Sequence, residues 1–273
     1  MRIADALNAA RALGVERLDA QWLLEHLLDR PRSWLLAHDD TELSAAQAAS
    51  VQAGLARRAA GEPLAYVLGE REFRGLALRV NPAVLVPRPE TELLVDWALE
   101  HLPPDAALDV VDLGTGSGAI ALALQHERPL ARLLASDTSA EALAVACGNA
   151  RQLGLPVEFV QGDWWAPLQG RRFALAVSNP PYVVGDDPHL ADLAHEPRCA
   201  LTPEGDGLAA LRRIVQGAPA HLLPGAWLLL EHGHDQADAV QRLLRDAGFE
   251  AAQTRHDLAG LARCTGARRS SEK

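Results

Sequence analysis

From Thr91 onward, short apolar strands alternate with helical segments, and no other feature constrains the fold as tightly. The pattern runs helix Glu92–His101, strand Leu108–Leu113, helix Gly118–Glu127, strand Arg132–Asp137, helix Ala140–Leu153 and strand Val157–Gln161. It continues through strand Phe173–Ser178, a long loop, helix Leu208–His221, strand Ala226–Glu231, helix Gln236–Ala247 and strand Phe249–Arg255, after which Ala267–Lys273 reads as a polar tail. Repeated strand–helix units predict an open α/β sheet of parallel strands covered by helices on both faces. Ligands of such sheets sit beyond the C-terminal strand ends.

The residues ahead of this pattern have a different texture. Ile3, Ala6, Leu7 and Ala10 form one stripe at helical spacing, Leu23, Leu24, Leu27 and Leu28 a second, and Trp34, Leu35 and Leu36 a short third. Ser44 followed by Gln47 is a capping-box signature for a fourth helix running to about Arg58, stopped by Gly61 and Pro63. These stripes read as the core of a small helical bundle. Between Glu72 and Pro89, Phe73, Leu76, Leu78 and Val80 alternate loosely, Asn81-Pro82 suggests a turn, and Val84-Leu85-Val86 follows. That reads as a β-hairpin joining two domains. The expected organisation is a helical domain over residues 1–70, a hairpin linker over 71–90 and an α/β domain over 91–273.

Composition removes several classes of chemistry. The only lysine is Lys273, which excludes Schiff-base lysine chemistry and the Walker-type phosphate loop. The formal charge of −10 makes the chain a poor general binder of polyanions, because such affinity comes from a basic surface. Cys147, Cys199 and Cys264 are far apart and odd in number, so neither a disulfide framework nor a zinc site is expected. His189, His195, His232 and His234 match no metal-binding spacing, and no metal is expected. The early acid Asp5 and the absence of an apolar run of about 18 residues point to a soluble cytoplasmic protein with no membrane contact.

The first chemical signal is Asp112-Leu113-Gly114-Thr115-Gly116-Ser117-Gly118, set between a strand and a helix. Glycines let the backbone turn tightly and approach a ligand, and a helix N-terminus presents unpaired N–H groups. The next strand ends at Asp137, where a carboxylate can accept two ribose hydroxyls. The turn departs from G-x-G-x-x-G and carries an acid that a pyrophosphate would repel. A sulfonium nucleoside with an amino-acid head, S-adenosylmethionine, tolerates it. Asp163-Trp164 offers an acceptor for an adenine amino group and an aromatic edge for its ring. The alternative for Trp164 and Trp165 is half-buried loop aromatics.

The second signal is Asn179-Pro180-Pro181-Tyr182, directly after a strand and so at the ligand edge. An Asn side-chain carbonyl can accept one hydrogen of a planar NH₂ group and the Pro180 carbonyl the other, while Pro181 stiffens the turn and Tyr182 lies against the flat group. Such a clamp aims a nitrogen at a methyl donor, and methyl transfer by displacement needs alignment more than a strong base. Glu231 reads as structural rather than as a base. The segment Pro87-Arg88-Pro89 either orders the domain crossing, with Arg88 paired to Glu90 or Glu92, or forms one wall of the acceptor channel. The long loop 183–205 suits a lid or partner-contact surface.

The pair D-L-G-T-G-S-G and N-P-P-Y resembles the class I (Rossmann-like) methyltransferases that modify planar nitrogens. With Glu72-Phe73, Val86-Pro87-Arg88-Pro89-Glu90-Thr91-Glu92 and Leu229-Leu230-Glu231-His232-Gly233, the chain resembles the peptide chain release factor glutamine methyltransferases along nearly its whole length. The resemblance implies a seven-stranded sheet whose last strand runs antiparallel, S-adenosyl-L-methionine as donor, and the glutamine of the release-factor Gly-Gly-Gln motif as acceptor. It places Gly114, Thr115, Gly116, Ser117 and Gly118 along the methionine part, Asp137 at the ribose and Trp164 at the adenine. Asn179, Pro180 and Tyr182 would hold the glutamine amide. Two alternatives stay open from the residues: an adenine N6-methyltransferase acting on DNA or RNA, since N-P-P-Y suits an exocyclic amine equally well, and a non-catalytic adaptor that binds the cofactor. Neither the charge balance nor the helical bundle offers an obvious surface for nucleic acid, a local basic patch aside, and direct nucleic-acid binding is not expected.

Overall fold

The computed structural model describes residues 1–271 and divides into two compact units, Met1–Arg71 and the chain from Glu72 onward. The first holds five helices: α1 (Ile3–Ala12), α2 (Arg17–Leu28), α3 (Arg32–Ala37), α4 (Ala45–Ala59) and the short α5 (Leu64–Leu68). Ile3, Ala6, Ala10, Leu23, Leu24, Leu35, Val51 and Leu55 are buried together, so the periodic positions do make its core. Leu36, expected in the third stripe, is exposed. The capping box at α4 is complete, with Gln47 N donating to Ser44 Oγ (3.2 Å) and Ser44 N donating to Gln47 Oε1 (3.0 Å).

A two-stranded sheet follows, β1 (Glu70–Phe73) and β2 (Leu76–Arg79), and the division between the units falls inside β1. Its turn is Arg74-Gly75, not Asn81-Pro82. Both turn residues have positive φ (49° and 76°), the conformation whose twist matches that of flanking strands. Asn81 serves a separate turn, its Oδ1 accepting from Ala83 N (2.9 Å), and Val84–Val86 is not a strand.

The remaining elements are α6 (Glu92–Glu100), β3 (Asp109–Leu113), α7 (Ala119–Glu127), β4 (Arg132–Asp137), α8 (Ala140–Leu153), β5 (Val157–Gln161), β6 (Phe173–Ser178), α9 (Arg198–Leu201), α10 (Ala209–His221), β7 (Leu222–Glu231), α11 (Ala237–Asp246), β8 (Phe249–His256) and β9 (Ala262–Arg269). The seven larger-sheet strands lie in the order β5-β4-β3-β6-β7-β9-β8. β3 to β7 pair in parallel, while β9 runs antiparallel to both neighbours. The sheet is thus mostly rather than wholly parallel, and β9 takes in Ala267 to Arg269, the start of the expected polar tail. Glu272 and Lys273, the end of that tail, lie outside the described residues.

The pattern hides β9 because its buried residues are small. Cys264, Thr265, Gly266 and Ala267 are buried with no large apolar side chain among them. A Cβ on Gly266 would stand 2.4 Å from Leu229 and 2.8 Å from Trp97, so the strand passes too close to its neighbours for a larger residue. One apolar cluster holds Trp97, Leu122, Val110, Leu133 and Leu175, and another holds Val111, Leu134, Leu211, Ile214 and Leu244. Adjacent strand residues thus point to opposite faces, and helices cover both.

Candidate active site

Parallel pairing brings the C-terminal ends of β3, β4 and β6 to one edge, with Leu113 opposite Ser136 and Asp112 opposite Val177. The glycine turn leaves that edge under tight backbone control. Gly114 N and Thr115 N both donate to Ser136 O (2.8 and 2.9 Å), and Gly116 N donates to Asp137 Oδ2 (2.9 Å). Gly118 caps α7 at φ 86°, where a Cβ would press on Leu122 at 3.0 Å and Ala146 at 3.3 Å. Asn149 of α8 is fully buried and bolts the turn to β2. Its Nδ2 donates to Ser117 O (2.9 Å) and Arg79 O (3.0 Å), and its Oδ1 accepts from Arg79 N (2.8 Å).

The turn borders a cavity whose walls include Gly114, Thr115, Gly116, Ser117, Asp137, Trp164, Asn179, Pro181, Pro87 and Arg88. Further wall comes from residues that the sequence does not assign to the site, among them Ala83–Leu85, Thr91, Thr138-Ser139 and Pro197 with Cys199-Ala200. Gly118, Pro89, Pro180 and Tyr182 are not on this wall. Pro89 opens the 3-10 turn Pro89–Thr91 ahead of α6. The Arg88 guanidinium pairs with Glu196, not with Glu90 or Glu92, and the other Glu196 oxygen accepts from Val86 N (3.0 Å). Glu196 is buried and belongs to loop 183–205, which therefore walls the cavity from its Pro197–Ala200 side.

Two acids behave differently from each other. Asp137 accepts one backbone N–H on each oxygen, from Gly116 and Ser139 (both 2.9 Å), which leaves lone pairs on both oxygens for two ribose hydroxyls. Asp112 is fully buried, accepts from Thr115 Oγ1 (2.6 Å) through Oδ2, and has no partner for Oδ1. Burial pushes its carboxyl up to about 7, against the hydrogen bond from Thr115. Asp163 does not serve as a cavity acceptor; it is ion-paired with Arg213. Trp164 sits at φ 49° and covers Gly114, where a Cβ would meet its ring at 3.0 Å. Trp165 is core, donating to Ile214 O (2.8 Å) and stacking on His221.

At the end of β6, Asn179 Nδ2 donates to Thr91 Oγ1 (3.1 Å). Tyr182 is held from three sides. Its N donates to Leu201 O (3.2 Å), its O accepts from Gln236 Nε2 (2.9 Å), and its hydroxyl donates to Glu231 Oε1 (3.3 Å). Glu231 is buried and its Oε2 has no partner. Burial raises its carboxyl to about 7, while the hydroxyls of Thr91 and Tyr182 hold it down in part. Burial, then the charge of Glu231, raise the Tyr182 phenol in turn. Burial lowers the His232 imidazole, whose Nδ1 donates to Gly233 O (2.8 Å) and whose Nε2 meets Thr265 Oγ1 (2.7 Å). Among the described residues no group of three His, Cys, Asp or Glu side chains is arranged to hold a metal, and no helix is long and apolar enough to cross a membrane.

The walls fit a nucleoside carrying an amino-acid tail. A Cβ at Gly116 would meet nothing within 4 Å, so the turn faces open space where only backbone borders the ligand. Asp137 borders the same cavity as that turn, Trp164 and Ile120 supply apolar surface, and among the described residues no basic side chain lies in the turn itself. Sheet order, glycine turn and acid together define a class I S-adenosylmethionine-dependent methyltransferase.

Comparison with known proteins carries the assignment further. The family model described as PrmC N-terminal domain matches residues 2–69, and that described as Methyltransferase small domain matches residues 91–216. A release factor glutamine methyltransferase of Bordetella pertussis is 53% identical over 93% of this chain and 95% of its own. One of Burkholderia pseudomallei is 51% identical over 97% and 96%. The chain belongs to the release factor glutamine methyltransferase family. The fold is shared with the Thermus thermophilus 16S rRNA N2 G1207 methyltransferase solved with AdoMet and guanosine, at a TM-score of 0.56 and 20% identity over 73% of this chain and 49% of that one.

Proposed function

We propose that this enzyme transfers a methyl group from S-adenosyl-L-methionine to the side-chain amide nitrogen of the glutamine in the Gly-Gly-Gln motif of peptide chain release factors, and so supports translation termination. One observation carries the reading: Asn179 spends its Nδ2 on Thr91, which leaves its carbonyl oxygen for an N–H donor in the same cavity as Gly116 and Asp137. A planar primary amide supplies that donor, and relatives named for this activity match 93% and 97% of the chain.

The donor supplies, when bound, a methyl carbon on a positively charged sulfur, open to displacement. Asp137 accepts the ribose hydroxyls, Gly114 to Gly118 lie along the methionine part, with Gly118 setting the start of α7, and Trp164 takes the adenine side. Asn179 Oδ1 accepts one amide hydrogen and turns the amide nitrogen toward the methyl carbon, while Pro180, off the cavity wall, stiffens the turn that carries Asn179. As the N–C bond forms, the nitrogen gives up one proton to water and the former C–S bonding pair stays on sulfur. Alignment alone supplies roughly 7–11 kcal/mol in such reactions, which removes the need for a strong base. Pro181, Pro87 and Arg88 wall the acceptor side. Pro89 and Tyr182 support from behind, Tyr182 through its bond to Glu231 rather than by lying on the amide.

The helical domain over residues 1–70, with a linker over 71–90, would help to dock the release factor, and a partner from the translation machinery places the enzyme in the cytoplasm. The experiment is direct. Incubation with labelled donor and a purified release factor puts one methyl group on the Gly-Gly-Gln glutamine by mass spectrometry. An unlabelled glutamine, or label in nuclease-treatable nucleic acid instead, overturns the reading.

A further inference from the structure

Loop 183–205 leaves the end of N-P-P-Y and returns close to where it began. At its base Tyr182 N and Val183 N donate to Leu201 O (3.2 and 3.0 Å), and Gly185 N donates to Gly205 O (3.1 Å). Those bonds close the loop on itself and do not set where its far part lies. Of the described residues 183–200 only Glu196 is buried, with its side chain 1% exposed. A carboxylate taken out of water on an otherwise solvated loop is costly unless charge and hydrogen bonds compensate it. Its partners therefore show what the loop is held against.

Both partners lie in the segment before α6, 108 and 110 positions away. Glu196 Oε1 pairs with the Arg88 guanidinium, and Glu196 Oε2 accepts from Val86 N at 3.0 Å. Val86 and Pro87 are buried, yet residues 84–88 belong to no strand, so the Val86 N–H has no sheet partner and the Glu196 carboxylate supplies one. One side chain thus joins two stretches that both border the cavity, Leu85, Pro87 and Arg88 on one side and Pro197, Cys199 and Ala200 on the other.

We infer that Glu196 is a positioning residue for the acceptor: by gripping Arg88 and Val86 it holds loop 183–205 against the P-R-P segment, so that the two make one wall before the acceptor arrives. The inference rests on the acceptor-side reading of Pro87 and Arg88 given above and adds what fixes that wall. It also separates the wall from the clamp, since Glu196 bonds to neither Asn179 nor the glycine turn. Where loss of the grip leaves the wall in place about a tenth of the time, apparent acceptor affinity falls about tenfold, because binding must first restore the wall. A saturating acceptor restores it, so kcat is spared.

The test breaks the pair from both ends. Glu196→Gln keeps the shape of the side chain, but its NH₂ end must face either the guanidinium or the Val86 N–H, so one of the two bonds is lost. Arg88→Met keeps the stem and leaves the buried carboxylate without its cation. Each is expected to raise the release-factor KM about tenfold, with kcat within about threefold and donor Kd within about twofold. The double variant should be no worse than the worse single, because both remove one interaction. Hydrogen exchange gives a readout that needs no acceptor: the Val86 amide and residues 183–200 should exchange about tenfold faster in either variant, while residues 114–118 stay as they are. Wild-type KM in Glu196→Gln, additive penalties in the double variant, or unchanged exchange at Val86 overturns the inference. So does a loss confined to kcat or shared equally by donor Kd, the mark of general damage to the site. A wild-type enzyme that leaves the Gly-Gly-Gln glutamine unmethylated sinks the acceptor reading itself, and exchange then still decides whether Glu196 holds the loop. A methylating wild type beside a Glu196→Gln of unchanged KM sinks only the role of Glu196.

Discussion

The two ends of the cavity are built by different means. At the donor end, Gly114, Thr115 and Gly116 donate backbone N–H groups to Ser136 O and Asp137 Oδ2 at 2.8–2.9 Å and the Asn149 side chain fixes Ser117 from α8, so the surface offered to the ligand is mostly main chain. At the acceptor end, Asn179 and Tyr182 are placed by side chains drawn from the turn at Thr91, the end of β7 at Glu231 and the start of α11 at Gln236. A main-chain cradle tolerates changes in nearby side chains and presents generic N–H and carbonyl groups, which suits a cofactor common to many enzymes. A side-chain network is specific and brittle, which suits selection of one planar amide.

The largest effect should therefore come at the acceptor end. Asn179→Ala removes a carbonyl that is aligned with the transferring group, and misplacement at a reacting centre costs about 10²-fold or more. Single-turnover methyl transfer should show that loss in kcat, with donor Kd nearly unchanged because Asp137 and the glycine turn stay intact. A donor affinity that fell as far as the rate would erase the division between the two ends.

Glu231 tests the brittleness directly. Its carboxyl is raised from the usual 4.5 to about 7 by burial, so the folded state holds its proton more tightly than the unfolded chain does. Stability is therefore fully present below about 4.5 and is lost as pH rises through about 7. Asp112, also raised to about 7 by burial, adds a parallel loss. Glu231→Gln removes one ionisation and should flatten part of the decline in Tm between pH 5 and 8, worth about 2 kcal/mol at the alkaline end. An unchanged slope would mean that the acceptor network stores no buried charge.

Asp137→Ala probes the donor end. Hydrogen bonds to a charged acceptor contribute about 1.5–3 kcal/mol, so loss of the ribose contacts should raise the donor Kd roughly 10- to 100-fold. The kcat at saturating donor should change less. Because Asp137 also accepts from Gly116 and Ser139, some of the loss reflects loosening of the turn.

The same contrast explains what could be read along the chain. Strands Arg132–Asp137, Val157–Gln161 and Phe173–Ser178 and helix Ala140–Leu153 lie where apolar periodicity and turn residues place them, because each packs a conventional face. β9 escapes because Cys264, Thr265, Gly266 and Ala267 are chosen for a close approach to Leu229 and Trp97, not for bulk. The hairpin turn is misplaced because Arg74 takes a left-handed conformation that its side chain does not advertise. At the site, the glycine turn, Asp137 and N-P-P-Y are local motifs and visible as such. Thr91 and Glu196 act on Asn179 and Arg88 from 88 and 108 positions away, and Asn149 reaches Ser117 over 32. No spacing rule joins them before the sheet is assembled.

The smallest effect is expected at Asp163, where sequence order alone puts an acceptor beside Trp164. The carboxylate instead pairs with Arg213, and both side chains are largely open to solvent, 42% and 58% exposed. Exposed pairs contribute about 0–1 kcal/mol because solvent screens them and two long side chains must be ordered. Asp163→Ala should leave donor Kd within about twofold and Tm nearly unchanged. Trp164 still covers Gly114 in that variant, since the ring is held by its own left-handed backbone and not by its neighbour's charge. A tenfold rise in donor Kd would show Asp163 leaving Arg213 for the nucleoside, and the donor end would then depend on a side chain that changes partners on binding.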